Sequence, residues 1–324
     1  MPSTVNQANK DILACYGITL EKELKSHSII KLKDGSKSLK INKNLYDKLL
    51  HSANSCTKQI IKLPDISFGV ELEFIGSNTH YDLSGFMIGA FRLLKGDFFS
   101  SLSYCHNDGK SWILGKDNSI DTFHSNLQEP FGYELSTPKL NPFNTRDVSL
   151  LSQVIDLAKT SLCAEVNKSC GTHIHIGFKH NNILKGSICD LLSTYSFMEK
   201  TVFDPIVPTS RRRNKYCSTT RPWLKSKYQK LSSRFCEFSY DGECKDLHFE
   251  FRQLEGTLDL TTILNWTILQ LYVLYDLIEH ISEVEYIRSM MKKNIFDILF
   301  SYEFDSSLIS FFINRVVEFK SRTI

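Results

Sequence analysis

Apolar and polar residues alternate strictly in several short stretches of the chain, and a period of two predicts strands with one buried and one open face. In Phe68-Gly69-Val70-Glu71-Leu72-Glu73-Phe74, the side chains of Val70, Leu72 and Phe74 point one way and those of Glu71 and Glu73 the other. Thr172-His173-Ile174-His175-Ile176-Gly177-Phe178 sets His173, His175 and Gly177 against Ile174, Ile176 and Phe178. His248-Phe249-Glu250-Phe251-Arg252 sets three charged or titratable groups against two phenylalanines, and Gly132-Tyr133-Glu134-Leu135-Ser136-Thr137-Pro138 is a short strand closed by a proline. By the same parity, Glu255 falls on the face opposite Glu250. Helical spacing runs over 83–94, 147–166, 188–202 and 260–281, with Asp259 as the N-cap of the last, and amphipathic segments after Ser282 lead to a helix around 308–319. The first 62 residues carry short alternating pieces, Ile29 to Lys33 and Leu39 to Ile41, then an apolar patch at Tyr46, Leu49 and Leu50. The pattern divides the chain into an N-terminal accessory segment, 1–62, a main domain, 63–281, and a C-terminal helical extension, 282–324.

Composition adds exclusions. With 324 residues, 42% apolar, 23% charged and 12% aromatic, the chain has the profile of a folded globular protein and not of a disordered or collagen-like one. Lys and Arg number 39 against 36 Asp and Glu, a net charge of +3 that gives no reason to expect nucleic acid as a partner. The most apolar stretch, Ile263 to Ile278, is interrupted by Asn265, Gln270 and Asp276 and falls short of the roughly 20 apolar residues of a membrane span. Nine cysteines form no CxxC pair, and the odd total leaves at least one unpaired. Reduced thiols, together with the lack of an apolar stretch in the first 25 residues, point to the cytoplasm.

Several catalytic machines are missing. No two glycines stand two apart, so there is no dinucleotide fingerprint, and Gly109-Lys110-Ser111 has Tyr104 where a P-loop needs its first glycine. What remains is a charged front: Glu71, Glu73, Glu134, His173, His175, Glu250 and Arg252. Taken alone, the Glu71–Glu73 strand reads as a common solvated face, and a lone HxH is weak evidence of a site. If the fronts share one sheet, four carboxylates lie together and repel unless cations neutralise them. Carboxylates with only one or two imidazoles favour Mg²⁺ or Mn²⁺ over zinc, and Mg²⁺ bridges carboxylates to substrate phosphates. Arg252 is then placed to grip a transferred phosphoryl group. The residues thus point to metal-dependent phosphoryl transfer.

Six motifs in order carry a resemblance: Gly69-Val-Glu71-Leu-Glu73-Phe74, Trp112 with Asp117-Asn-Ser119, Tyr133-Glu134-Leu-Ser-Thr-Pro138, Cys170-Gly171-Thr-His173-Ile-His175-Ile-Gly177, Arg213-Asn-Lys-Tyr216-Cys217, and Glu250-Phe-Arg252-Gln-Leu-Glu255-Gly256-Thr257-Leu258-Asp259. Together they resemble the amidoligase family, within the superfamily of glutamine synthetase and glutamate–cysteine ligase, over about residues 66–270. The resemblance implies an α+β fold, a curved, largely antiparallel sheet forming a concave funnel backed by helices. It implies an ATP-dependent carboxylate–amine ligase that forms an amide or isopeptide bond through an acyl phosphate, with ATP and Mg²⁺ or Mn²⁺ as cofactors. The partners it implies are a carboxylate substrate (amino acid, peptide or protein) and an amine acceptor. By the same resemblance Glu71, Glu73, Glu134, His173 and Glu250 are metal ligands, with Glu134 on the substrate side and catalytic, and His175 and Arg213 lie toward the nucleotide. Arg252 stabilises the migrating phosphoryl group. Thr137 stands where the family has serine, a mild departure, and the basic triplet Arg211-Arg212-Arg213 reads as a substrate or ATP contact or as a solvated loop, with Arg213 the best placed. A metal-dependent hydrolase or phosphotransferase on the same face, or a non-catalytic binding module, are the competing readings. Strand-edge pairing would support a homodimer.

Overall fold

Strict alternation becomes strand throughout the main domain. The computed structural model describes residues 28–31, 37–40, 66–96, 98–101, 110–178, 185–212, 217, 236–238, 247–302 and 304–321. Arg213 and the patch at Tyr46, Leu49 and Leu50 lie outside the described residues. The strands are β1 (Ser28–Lys31), β2 (Lys37–Lys40), β3 (Ile66–Ser77), β4 (Phe98–Ser101), β5 (Trp112–Lys116), β6 (Pro130–Ser136), β7 (Gly171–Phe178), β8 (Cys236–Phe238) and β9 (Leu247–Glu255). The chain forms two compact units, Leu63–Cys189 with Ser210–Ile278, and Met1–Lys62 with Asp190–Thr209 and Glu279–Ile324.

The first unit is a mixed helix-and-sheet structure built on a seven-stranded sheet of order β4-β5-β6-β3-β7-β9-β8. All neighbours are antiparallel except β4 and β5, which run parallel. The 12-residue β3 has neighbours on both sides, and its burial alternates as its sequence does, with Phe68, Val70, Leu72 and Phe74 at most 1% exposed. Burying each such side chain contributes about 1.5–3 kcal/mol, so register is fixed from the back of the sheet. The front, the other face, is where the charged residues stand.

Proline ends β6 without ending the pairing. Thr137 N–H donates to Val70 O at 2.9 Å, and Thr137 Oγ1 accepts from Val70 N–H at 2.9 Å, so a hydroxyl completes the ladder that Pro138 cannot continue. The serine-to-threonine departure keeps this hydroxyl, which is why it is mild.

Helices follow their caps. His80–Leu93 starts at Thr79, whose hydroxyl accepts from Asp82 N–H, and Thr145–Ser161 starts at Asn144 in the same way. The latter stops at Ser161, short of Val166: Leu162 stays buried, Cys163 adopts φ +50°, and Glu165 pairs with Ile75 as an isolated bridge. Leu260–Glu279 is capped by Asp259, whose Oδ2 accepts from Thr262 N–H at 2.9 Å, as its sequence predicts. It backs the sheet at β9, where buried Gln270 donates to Gln253 at 3.4 Å among apolar neighbours. No described helix is long and apolar enough to cross a membrane.

The second unit holds the antiparallel β1–β2 hairpin and the helices Val284–Met290, Ile295–Ser301 and Ser306–Ser321. Arg315 on the last helix donates from Nε to Ile206 O at 2.9 Å and lies over the Phe319 ring.

Candidate active site

The ladder registers bring the front residues together. Glu73 stands opposite Glu134 across β3 and β6, Glu71 opposite His173 across β3 and β7, and His175 opposite Glu250 across β7 and β9. Directly opposed side chains lie about 4.5–5.5 Å apart at Cβ, close enough for every pair to interact. His173 Nδ1 is 2.9 Å from Glu71 Oε2, and its Nε2 is 3.2 Å from Glu73 Oε1. His175 Nε2 is 3.2 Å from Glu71 Oε1, and Arg252 Nε is 2.5 Å from Glu250 Oε1. All seven predicted front residues therefore meet in one cluster, and Arg213 is the one predicted site residue outside the described residues.

Three groups of ligand atoms come within 4.8 Å of one another: Glu71, Glu134 and His173; Glu71, His175 and Glu250; and Glu73, Asp117 and Glu134. Asp117, directly after β5, joins the third of these groups. It does also build the turn, accepting from Ser119 N–H at 2.7 Å.

The electrostatics follow from crowding. Burial pushes the Glu134 carboxyl up to about 8, helped by the charges of Glu71, Glu73 and Asp117 and opposed by Arg252. Burial also works against ionised Glu71, but the bonds from His173 and His175 overcome it and hold that carboxyl well below its ordinary range. His173 is driven down by burial, against the pull of Glu73 and Glu71, and so favours the neutral imidazole that can ligate a metal. Burial lowers His175 too, yet its bond to Glu71 and the charges of Glu71 and Glu250 raise it overall. A cluster that keeps one carboxylate ionised, protonates another and holds a neutral imidazole between them fits a divalent cation, whose charge would relieve Glu134. Its donors, oxygen with one or two nitrogens, suit Mg²⁺ or Mn²⁺.

Two features escape parity, and a third follows it. A bulge in β9 pairs Thr172 with Leu254 but Ile174 with Phe251, so Arg252 and Gln253 together stand against His173 in the ladder. The shift sets Glu255 opposite Gly171, on the face of Glu250, and corrects the assignment made from simple alternation. His248 meets His175, with Nε2 3.0 Å from Nδ1 and the rings stacked at 5.0 Å. In the basic triplet, Arg211 lies at the sheet, with its guanidinium over Gly171. The signal for it is Gly171 itself, a glycine in the histidine row, where backbone leaves room for a group from elsewhere.

Cys170 is buried and its thiol is pushed up to about 11 by that burial, which leaves it inert as a nucleophile.

A family model described as "putative amidoligase enzyme" matches residues 64–237. No curated protein and no solved structure matches the chain. The matched stretch contains Glu71, Glu73, Glu134, His173, His175 and Arg211; β9, with Glu250 and Arg252, lies beyond it and enters the cluster through its pairing with β7. Because that match spans more than half of the chain, from the first strand of the sheet to β8, the protein belongs to the amidoligase family.

Proposed function

We propose that the protein is an ATP- and Mg²⁺-dependent carboxylate–amine ligase, with the glutamine synthetase-like site on the front of the sheet. The observation that carries the reading is the convergence of four glutamates, Asp117 and two histidines into three overlapping ligand groups, with Arg252 bound to one of those glutamates. Glu71, Glu73, Glu134, His173 and Glu250 would hold the metal ions, which supply charge neutralisation for the triphosphate and for the carboxylates around it. His175, whose protonated form the bond to Glu71 and the charges of Glu71 and Glu250 favour, would face the phosphates.

The chemistry has two steps. A carboxylate oxygen of the acid substrate attacks the γ-phosphorus, the bond to the β-phosphate oxygen breaks, and ADP leaves. An amine then attacks the acyl carbon, loses a proton, and displaces inorganic phosphate. Arg252 stabilises charge on the migrating group, a role typically worth 10³–10⁵ in rate where an arginine performs it. The site's acidic lining would also attract the amine in its protonated form, which gives up one proton before it attacks and a second afterwards.

The test is incubation with ATP, Mg²⁺ and pooled amino acids, peptides and polyamines, with ADP and phosphate measured. Release of AMP and pyrophosphate would overturn the acyl-phosphate route, and phosphate release that is indifferent to added amine would make the protein a hydrolase. Glu73→Gln and Arg252→Ala are expected to abolish turnover with the circular dichroism spectrum unchanged. Retained activity in both would remove the cluster from the chemistry.

A further inference from the structure

Arg211 stands out among the charged groups that the proposed reaction leaves without a role. It ends the short turn Thr209–Arg211, is 2% exposed, and lies against the sheet, although its segment belongs to no strand. Its position depends on Gly171. By alternation with His173 and His175, a side chain at residue 171 would project onto the front. A Cβ built there would fall 2.5 Å from Arg211 Nη2, 3.0 Å from Cζ and 3.1 Å from Nη1. The guanidinium therefore occupies the front-face slot that Gly171 leaves empty, beside Glu73, whose Oε2 accepts from Gly171 N–H at 2.6 Å.

From that slot Arg211 Nη2 donates to the carbonyl of Arg252 at 2.5 Å. Arg252 is a residue of the β9 bulge, where the ladder is disrupted and backbone groups need donors from outside it. The bulge is what allows Glu250, Arg252 and Glu255 to share one face, because continuous alternation would send Glu255 to the back. Arg252 in turn contacts Glu250, which lies 3.6 Å from His173 Nδ1. That bond from Arg211 ties a buried cation to the backbone from which the reactive arginine projects. Among the described residues, the Nε of Arg211 has no hydrogen-bond partner. Leaving a buried N–H unmet costs about 1–3 kcal/mol, so stability alone is a poor account of this placement.

We propose that Arg211 is a positioning residue: seated over Gly171, it fixes the β9 bulge and so aims Arg252 and Glu250 at the reacting phosphoryl group. The proposal rests on the ligase reading for its kinetic part and on the bulge alone for its structural part.

Two measurements separate these. Arg211→Met keeps much of the side-chain volume and removes every donor, whereas Arg211→Lys keeps one donor and the charge. In Mg²⁺-dependent ADP release, Arg211→Met is expected to lower kcat about a hundredfold, the scale of a misplacement of about 1 Å, with KM for ATP nearly unchanged. Arg211→Lys should recover most of that loss, and Gly171→Ala should reproduce the Met variant, since the added methyl displaces the guanidinium. A raised KM with intact kcat would make Arg211 a ligand contact and overturn the proposal, as would full activity in the Met variant. Amide hydrogen exchange across 250–255 needs no substrate. It should quicken in Arg211→Met and Gly171→Ala, recover in Arg211→Lys, and stay constant in β3 throughout. Unchanged exchange at 250–255 would overturn the role of Arg211, whereas a wild-type protein that releases no ADP but shows this exchange pattern would sink only the ligase reading. Should Arg211→Met fail to fold, the comparison of Arg211→Lys with Gly171→Ala carries the same decision.

Discussion

Glu134 is the residue at which the proposed site most plainly opposes its own fold. Its carboxyl has an ordinary value of 4.5 and is pushed up to about 8, first by burial and then by Glu71, Glu73 and Asp117. The folded state therefore holds the Glu134 proton more tightly than the unfolded chain does. For a raised carboxyl the contribution to stability is intact below about 4.5 and is lost as pH rises toward 8. At about 1.4 kcal/mol per pH unit, the loss reaches roughly 3 kcal/mol at pH 7 and roughly 5 kcal/mol above pH 8. Coupling to Glu71 and Glu73 spreads the titration over the group, so about 2–5 kcal/mol is the range to expect.

Glu134→Gln replaces the carboxyl by an uncharged group of the same shape and removes this titration. Urea unfolding of both proteins in the presence of a chelator is expected to give midpoints that nearly coincide at pH 5. The variant should then become progressively more stable as pH rises to 8.5. Adding Mg²⁺ or Mn²⁺ should stabilise the wild type at pH 8.5 and close the gap, because the cation relieves the repulsion that the variant lacks. A gap independent of pH, or a variant less stable at every pH, would refute the reasoning: Glu134 would then be a satisfied carboxylate and no cation would be needed.

Three further outcomes follow from the geometry. Gly132→Ala would set a Cβ 2.3 Å from Asp117 O and 2.7 Å from Ile120 Cβ, and neither can yield far, so a loss of about 2–4 kcal/mol is expected in thermal melting. A wild-type melting temperature would mean that the turn carrying Asp117 is loose. Thr137→Val removes the acceptor for the buried Val70 N–H and should cost about 1–3 kcal/mol, whereas Thr137→Ser should cost less than half of that; a loss in Thr137→Ser larger than that in Thr137→Val would show that the methyl, not the hydroxyl, matters. Limited alkylation at neutral pH, read by peptide mass spectrometry, should modify exposed Cys163 well before buried Cys170 and Cys217, and early labelling of Cys170 would contradict both its burial and its raised thiol.

Alternation revealed the front of the sheet because β3, β6 and β7 are regular: wherever the backbone keeps its period, parity assigns each side chain a face, and Glu71, Glu73, Glu134, His173 and His175 fell where they were expected. Where the backbone departs from period, sequence reading fails for identifiable reasons. The 147–166 helix was read too long because Leu162 remains buried after the helix ends, so the apolar spacing continues although the hydrogen bonding has changed to a bridge between Ile75 and Glu165. Glu255 was assigned to the wrong face because a bulge leaves no mark in Arg252-Gln253-Leu254; it is imposed by the partner strand, which offers only His173 against two residues. Asp117 reached the cluster through the pairing of Gly115 with Glu134, which no local pattern encodes. The basic triplet shows the limit most sharply. The position of Arg211 is decided by an empty slot 40 residues earlier in the chain, at Gly171, which no linear motif records. A glycine in a row of functional side chains is therefore evidence of a missing neighbour as much as of a flexible backbone, and its partner has to be sought elsewhere in the sequence.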